Sequence, residues 1–273
     1  MACSRLQLAA MNRPCVPRCA SAAVACALLL ATAGCAGSAQ APAAQRPSSQ
    51  PVPILLYHVI GPVPADARLP SLFVGPGRFA THVRALRRAG YEAVTMQRVW
   101  DAWRGRATLP RRPIVVSFDD GSKGHVRHAL PALRGAGWPG VLNLAWNFLP
   151  AIGGTDAVRR LARAGWEIDS HSLTHPDLTA LTAADLRHEL TASRTRIKRA
   201  FGSRAANFFA YPAGRYDARV KRAVRAAGYL AATTVKRGFV QPTADPYALA
   251  RIQVGGGMNA TALLRLLREL RPY

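Results

Sequence analysis

The sequence predicts an α/β fold, a distorted (β/α) barrel with about seven parallel strands in a single domain. Apolar, strand-like runs alternate with helix-like runs along residues 52–273, and this alternation is typical of a parallel sheet with helices outside it. The length of that stretch suits one barrel domain. It contains no internal repeat and no sign of a second domain.

The predicted strands are short apolar runs separated by polar and glycine-containing segments. They cover Ile54–Tyr57, Ile114–Phe118, Val141–Ala145, Trp166–Asp169, Phe208–Tyr211 and Leu230–Val235. One helix is predicted from the spacing of Phe79, Val83 and Leu86, and it ends at Gly90. Another begins with a capping motif at Thr182–Asp185 and ends at Gly202, with apolar residues at Leu186, Leu190, Ile197 and Phe201.

Two motifs offer side chains that bind metals. Asp119 and Asp120 close a strand-like run, and Gly121 permits a sharp turn after them. His171 and His175 follow another strand-like run. One carboxylate and two imidazoles form a ligand set for a divalent metal, and the second carboxylate is then free to act as a base. This combination is typical of metal-assisted hydrolysis.

The two motifs are expected to meet, because active sites of (β/α) barrels lie at the C-terminal ends of the strands. His171 and His175 would face one way on a single helical turn, whereas Pro176 favours a short turn instead. Taken alone, an Asp-Asp pair is more often a cap or a turn, and two spaced histidines are often surface residues. Their joint occurrence at predicted strand ends favours a site.

Three segments of the chain resemble a known family. Ser117–Gly121 and His171–His175 resemble the first two motifs of the polysaccharide deacetylases, carbohydrate esterase family 4, also called the nodulation-protein-B homology domain. Phe209–Tyr216 resembles the third motif, and the whole resemblance covers residues 52–254. It implies that Asp119 is the catalytic base. It also implies a divalent metal, zinc in the first place and otherwise cobalt, nickel, manganese or iron, held by Asp120, His171 and His175.

The resemblance further implies a substrate-binding segment and an acetylated polysaccharide as substrate. The segment comprises Tyr211, Pro212 and Ala213, and a backbone N–H near Ala213 would bind the oxyanion. Trp146 follows a strand-like run, and Tyr211 lies in the third motif. The rings of both residues are therefore candidates to stack on a sugar. Each aromatic residue taken singly is more often part of a core.

The chain also departs from the family pattern. Ala210 and Ala213 stand where the third motif has Arg and Tyr, and Arg251 stands where a late motif offers a histidine as general acid. One interpretation is a weakened site or a glycan-binding protein without activity. The other is that the segment 53–60 resembles the first strand of the poly-β-1,6-N-acetylglucosamine N-deacetylases, in which an early histidine is the acid.

In that second interpretation His58 replaces the missing late histidine, unless it is a hydrogen-bonded core residue. His125 and His128, in a helix-like segment, are weaker candidates for the acid. The expected polymer is poly-N-acetylglucosamine, and the alternatives are peptidoglycan, chitin-type oligomers and a lipid-linked sugar. We therefore expect a metal-dependent polysaccharide N-deacetylase with His58 and Asp119 as its catalytic pair.

Residues 1–35 predict a secretory signal, because a basic start without acidic residues precedes a short apolar run that ends in small residues. Translation begins at the first residue or at Met11. Cleavage after Ala33 is one alternative, and the favoured one is a lipoprotein box in which Cys35 is lipidated. The protein is therefore expected in the periplasm, as an outer-membrane lipoprotein of a bacterium, or secreted, with the membrane as a partner if Cys35 carries a lipid.

Cysteine usage and charge exclude several classes of site. All five cysteines lie within the first 35 residues, so cysteine zinc sites are excluded from the domain predicted for residues 52–273. Residues 36–51 are rich in Ala, Pro, Ser and Gln and predict a flexible linker. The net charge of +23 comes mostly from arginines scattered over several helices. We expect no nucleic-acid partner and only a salt-sensitive attraction to anionic surfaces.

Overall fold

A computed structural model describes residues 46–272 of the chain. The predicted signal segment with Cys35, and residues 36–45 of the predicted linker, lie outside the described residues. Within the described range, no helix is both long enough and apolar enough to cross a membrane.

Strands and helices alternate along the described residues, as the sequence predicts. The strands are β1 (Val52–Tyr57), β2 (Val59–Ile60), β3 (Phe73–Val74), β4 (Glu92–Ala93), β5 (Pro113–Asp120), β6 (Val141–Leu144), β7 (Glu167–Ser170), β8 (Phe208–Ala210), β9 (Ala231–Arg237), β10 (Phe239–Val240) and β11 (Leu249–Gln253). The α-helices are α1 (Pro76–Arg88), α2 (Met96–Ala102), α3 (Leu130–Ala136), α4 (Leu149–Ile152), α5 (Gly154–Arg163), α6 (Ala183–Phe201), α7 (Ala218–Ala226) and α8 (Ala260–Glu269).

Seven strands close into a barrel in the order β1, β5, β6, β7, β8, β9 and β11, and β11 pairs with β1 to complete the ring. Every neighbouring pair in the ring is parallel. The short strand β10 pairs antiparallel with β1, and β4 pairs with β5. The predicted single-domain (β/α) barrel is therefore confirmed.

The barrel interior changes from apolar to polar along the strands. Near the N-terminal ends of the strands, α2 contacts apolar residues of β5, β6 and β8, and Trp100 meets the ring of Phe208 edge-on at 6.0 Å. Towards the C-terminal ends, the interior side chains of Asn143 and Arg251 each donate a hydrogen bond to Asp119. The polar end is the one at which barrel folds place their active sites.

Helix α6 begins and ends as its sequence predicts. The Thr182 hydroxyl oxygen accepts a hydrogen bond from the Asp185 N–H at 3.2 Å, and the helix stops before Gly202, whose φ is 103°. Its inner face carries two buried polar residues, Glu189 and Ser193. Ser193 contacts a hydroxyl of β7, and Glu189 contacts the segment that follows β7.

The end of the predicted linker packs against the domain. The N–H of Ser48 donates to the Ala102 carbonyl at 2.9 Å, and the ring N–H of Trp103 donates to the Gln50 carbonyl at 3.4 Å. The sequence predicts a flexible linker up to residue 51. These contacts place the start of the folded unit a few residues earlier.

Candidate metal and catalytic site

Asp120, His171 and His175 converge at the C-terminal ends of β5 and β7. One donor atom from each lies within 4.8 Å of the others. The Nε2 atoms of His171 and His175 are 3.5 and 3.4 Å from Asp120 Oδ1. This buried oxygen accepts no hydrogen bond from any residue in the range 46–272. Two imidazoles and a carboxylate oxygen without a partner fit a divalent metal such as zinc, so the structure brings the three predicted ligands together.

The backbone at the end of β5 brings two consecutive carboxylates to one cleft. Asp120 has φ 73° and Gly121 has φ 117°, both in the left-handed region that favours glycine. This bend interrupts the alternation of side chains along a strand. Oxygens of Asp119 and Asp120 consequently lie 3.8 and 3.5 Å from the same atom, His171 Nε2. A Cβ at Gly121 would meet Leu144 at 3.0 Å, so glycine also fits the space.

The segment that carries the two histidines is not helical, so the alternative of a helical turn is wrong. Ser172 and His175 have φ values of 74° and 66°, and the segment is an irregular turn. Pro176 is the physical reason, because a residue before proline is disfavoured in the helical region. The Ser172 carbonyl accepts a hydrogen bond from the N–H of Trp146 at 3.2 Å, which anchors the turn to the end of β6.

His171 is held in the tautomer that suits a metal ligand. Its Nδ1 lies 2.8 Å from the Ala210 carbonyl oxygen. Since a carbonyl only accepts, Nδ1 carries the proton and the Nε2 lone pair faces Asp120. Burial lowers the pKa of His171 to about 4, although the charge of Asp119 opposes this shift. The ring is therefore neutral near pH 7, which is the form that binds metals.

Asp119 has a separate set of partners. Its two oxygens accept a bidentate pair of hydrogen bonds from Arg251 at 2.7 and 2.8 Å. Oδ1 also accepts from the side-chain amide of Asn143 at 2.7 Å. Burial acts to raise the pKa of Asp119, but the Arg251 guanidinium outweighs it and holds that pKa well below its usual range. The carboxylate is ionised at neutral pH, and Oδ2 keeps a lone pair available for a water.

Arg251 therefore has a function that the sequence did not reveal. Its side chain is 1% exposed, its Nε donates to the Thr234 carbonyl at 2.8 Å, and its other nitrogens hold Asp119. Arg251 orients Asp119, the predicted base, in addition to standing where the family motif has a histidine as general acid. Asn143 was also missed, although a polar residue inside the apolar run of β6 was an available signal.

His58 lies directly after β1 and is half-buried. Burial lowers the pKa of His58, and the charges of Asp119 and Asp120 act to raise it, so the imidazole lies within the field of the site. The buried His125 supports this region, because its Nδ1 accepts from the Ser122 N–H at 3.2 Å and its Nε2 donates to the His58 carbonyl at 2.5 Å. Both nitrogens of His125 are occupied, so it is a poor alternative acid.

The turn after β8 leaves one backbone donor free. The N–H groups of Gly214 and Arg215 donate to the carbonyls of Tyr211 and Pro212 at 2.8 and 3.0 Å. Ala213 is exposed, with φ 51°, and among the described residues no carbonyl accepts from its N–H. The donor predicted for an oxyanion is thus available in this turn.

The aromatic candidates differ in accessibility. Tyr211 is fully buried, its ring stacks on Tyr216 at 4.7 Å, and its hydroxyl donates to the Tyr247 carbonyl at 2.9 Å. The prediction that its ring stacks on a sugar is wrong for this structure, because the ring belongs to the core beneath the Pro212 turn. Trp146 is half-buried beside the histidine segment and remains a candidate for a sugar contact.

The chain matches a known family over the region that carries all three motifs. Residues 106–232 match the family model described as polysaccharide deacetylase. The Bacillus subtilis protein YxkH, whose name describes a polysaccharide deacetylase, is 26% identical over 225 residues, covering 81% of this chain and 77% of that protein. Both findings support the polysaccharide deacetylase family.

Two further comparisons concern the deacetylase fold and a short stretch of sequence. The structure of the Streptococcus pyogenes deacetylase PplD, solved with acetate, is similar with a TM-score of 0.74 and 21% identity, covering 82% of this chain and 100% of that chain. At this identity the similarity shows the fold alone. The poly-β-1,6-N-acetyl-D-glucosamine N-deacetylase of Escherichia coli K12 is 36% identical over 56 residues, 20% of this chain and 8% of that protein.

Proposed function

We propose that this protein is a metal-dependent hydrolase that removes N-acetyl groups from a polysaccharide of the cell envelope or the extracellular matrix. The observation that carries the proposal is the convergence of donor atoms from Asp120, His171 and His175 beside a carboxylate, Asp119, that has its own partners. Metal-assisted amide hydrolysis uses one set of groups to bind the metal and a separate group to move a proton.

A divalent metal bound by those three residues supplies Lewis acidity and lowers the pKa of water. Asp119 accepts a proton from the attacking water through Oδ2, the oxygen with a free lone pair. Arg251 and Asn143 fix the carboxylate, so little reorganisation is needed when the proton moves. The N–H of Ala213 donates to the oxyanion that forms on the acetyl oxygen.

His58 is the proposed general acid. The reaction expels an amine, which is a poor leaving group unless it is protonated. Arg251 cannot supply that proton, since a guanidinium stays charged near neutral pH. Burial lowers the pKa of His58, and the charges of the nearby Asp119 and Asp120 oppose this shift by favouring the protonated form. Proton donation from His58 to the leaving nitrogen yields acetate and a glucosamine residue.

Poly-N-acetylglucosamine is the polymer that we propose as substrate. It is supported by the strand before His58, which resembles the poly-β-1,6-N-acetylglucosamine deacetylase branch, and by the short match to the Escherichia coli enzyme. Export, with a lipid anchor at Cys35, would place the enzyme where such a polymer occurs. Peptidoglycan, chitin-type oligomers and a lipid-linked sugar are the competing substrates.

Acetate release from a panel of these glycans tests the proposal. We expect release from β-1,6-linked N-acetylglucosamine oligomers, loss of release with a chelator, and recovery when zinc or another divalent metal is restored. The Asp119→Asn variant is the control for acetate that comes from other sources. If the metal-loaded protein binds the glycans and releases acetate from none of them, it is a glycan-binding protein and the proposal fails.

A further inference from the structure

A buried carboxylate lies against the segment that joins the two histidine ligands. Glu189, on the inner face of α6, is 7% exposed. Its Oε2 accepts hydrogen bonds from the N–H groups of Leu173 and Thr174 at 2.9 and 3.0 Å, and its Oε1 accepts from the Thr174 hydroxyl at 2.7 Å. All of these donors lie between His171 and His175.

The donors of this segment take the place of a counter-ion. Among residues 46–272, Glu189 forms no ion pair with Lys, Arg or His. A charge that is buried without a partner is unfavourable, so the three hydrogen bonds offset much of that cost. Ser172 has φ 74°, and a left-handed residue at this point turns successive N–H groups to one side, as in backbone nests that bind anions.

The segment 171–175 has other polar contacts, both long-range and local. The carbonyls of Ser172 and Leu173 accept from the N–H groups of Trp146 and Asn147, after β6, at 3.2 and 2.9 Å. The N–H of Ser172 contacts the Ser170 hydroxyl at 3.3 Å, and the N–H of His175 donates to the Ser172 hydroxyl at 2.9 Å. Glu189 instead ties the segment to a long helix. Residues with positive φ persist only where the surroundings determine them. Glu189 supplies the part of these surroundings that binds the N–H groups of the segment, while the end of β6 binds its carbonyls.

We infer that Glu189 is a positioning residue, which holds the segment 171–175 in its ligating conformation before a metal binds. The inference rests on the proposed function, because it takes His171 and His175 as metal ligands. If the segment is ordered during folding, its conformational entropy is not lost again when the metal binds, and the affinity is higher. Groups that orient metal ligands typically change affinity by about 10–100-fold when they are removed.

The test compares variants of the whole protein by competition for Zn²⁺ with a chromophoric chelator. We expect Glu189→Ala to raise the zinc dissociation constant by about 10–100-fold. Glu189→Gln should retain most of the affinity, since its carbonyl oxygen still accepts the two N–H groups and its amide can donate to the Thr174 hydroxyl. Ile197→Val, a core change elsewhere on α6, is the matched control that lowers stability but leaves zinc affinity unchanged.

A second measurement on the metal-free protein separates this inference from the proposed function. Hydrogen exchange at the amides of Leu173 and Thr174 should be slow in the wild type and in Glu189→Gln, and fast in Glu189→Ala. If Glu189→Ala does not fold, Thr174→Val can be used instead. It removes the hydrogen bond from the Thr174 hydroxyl to Glu189 and should also raise the zinc dissociation constant. Unchanged zinc affinity together with unchanged exchange would overturn the inference. A wild-type protein that binds no divalent metal would contradict the proposed function, while the exchange result would still decide the role of Glu189.

Discussion

Arg251→Met removes the guanidinium that holds Asp119 and keeps an unbranched side chain in its place. The two partners are 1% and 2% exposed, so the substitution leaves a carboxylate charge uncompensated in the barrel interior. Loss of one partner of a buried ion pair costs about 3–5 kcal/mol of unfolding free energy. Asn143 still donates to Oδ1, so we expect a loss of about 3 kcal/mol, at the lower end of that range.

The pH dependence of this loss has a definite sign. In the wild type the pKa of Asp119 is lowered, so its contribution to stability is present at neutral pH and is lost only as the pH falls through that low value. In Arg251→Met no guanidinium offsets the effect of burial, so the pKa of Asp119 in the folded protein is raised. The folded protein then keeps the Asp119 proton at a pH at which the unfolded chain has released it. The unfolding free energy of the variant should therefore fall as the pH rises from about 4 towards neutral.

Urea unfolding and acetate release, each measured from about pH 4 to pH 8, test both consequences. We expect the acidic limb of the kcat/KM profile to move to higher pH, and neutral-pH turnover to fall by about 10²–10⁴-fold, as for loss of a general base. Arg237→Met is the matched control, because Arg237 is aligned with Arg251 on the neighbouring strand and is exposed. Equal effects of the two substitutions, or an unchanged profile for Arg251→Met, would refute the reasoning.

Three further predictions concern the residues that the sequence identified. Asp119→Asn should keep its metal and lose about 10²–10⁴-fold in turnover. If metal analysis showed that Asp119→Asn loses the metal and Asp120→Asn keeps it, Asp120 would be the base and Asp119 the ligand. His171→Ala and His175→Ala should each lose metal and hydrolysis together, and full activity with stoichiometric metal would contradict the ligand assignment. His58→Ala should fold and bind metal but lose most turnover and the alkaline limb of the pH–rate profile; a wild-type rate on acetylated oligomers would remove His58 from the mechanism.

The strand ends and the ligands were accessible from the sequence because their signals are local. Apolar runs and turn residues place Asp119, Asp120 and His171 at strand ends, and the family resemblance supplies their expected roles. The partners of Asp119 were not accessible in this way. Arg251 is 132 residues away along the chain, and its contact with β5 exists only because β11 closes the barrel. The periodicity of apolar residues along the sequence does not reveal the contact between Arg251 and Asp119.

Local signals also gave one alternative that does not hold and one wrong expectation. A spacing of four residues suits one helical turn, but the segment between His171 and His175 is non-helical, and tertiary hydrogen bonds from Glu189 support that conformation. The ring of Tyr211 was expected in a cleft because it ends a strand-like run. It is buried instead, since its hydroxyl finds a partner in the Tyr247 carbonyl. For the histidine segment, the tertiary contacts agree with the local effect of Pro176, whereas for Tyr211 a tertiary contact outweighs the local pattern.

Ala210 and Arg251 are better understood as one change than as two losses. The family pattern has an arginine at the position of Ala210, on β8, and β8 and β11 both flank β9 in the ring. Ala210 is fully buried and its carbonyl accepts from His171, so a larger side chain at this position would need space inside the closely packed domain. Arginines at both positions would bring two like charges close to one carboxylate. Arg251 supplies a positive charge beside Asp119 from β11, so the departures at these two positions are compatible with the proposed catalytic pair.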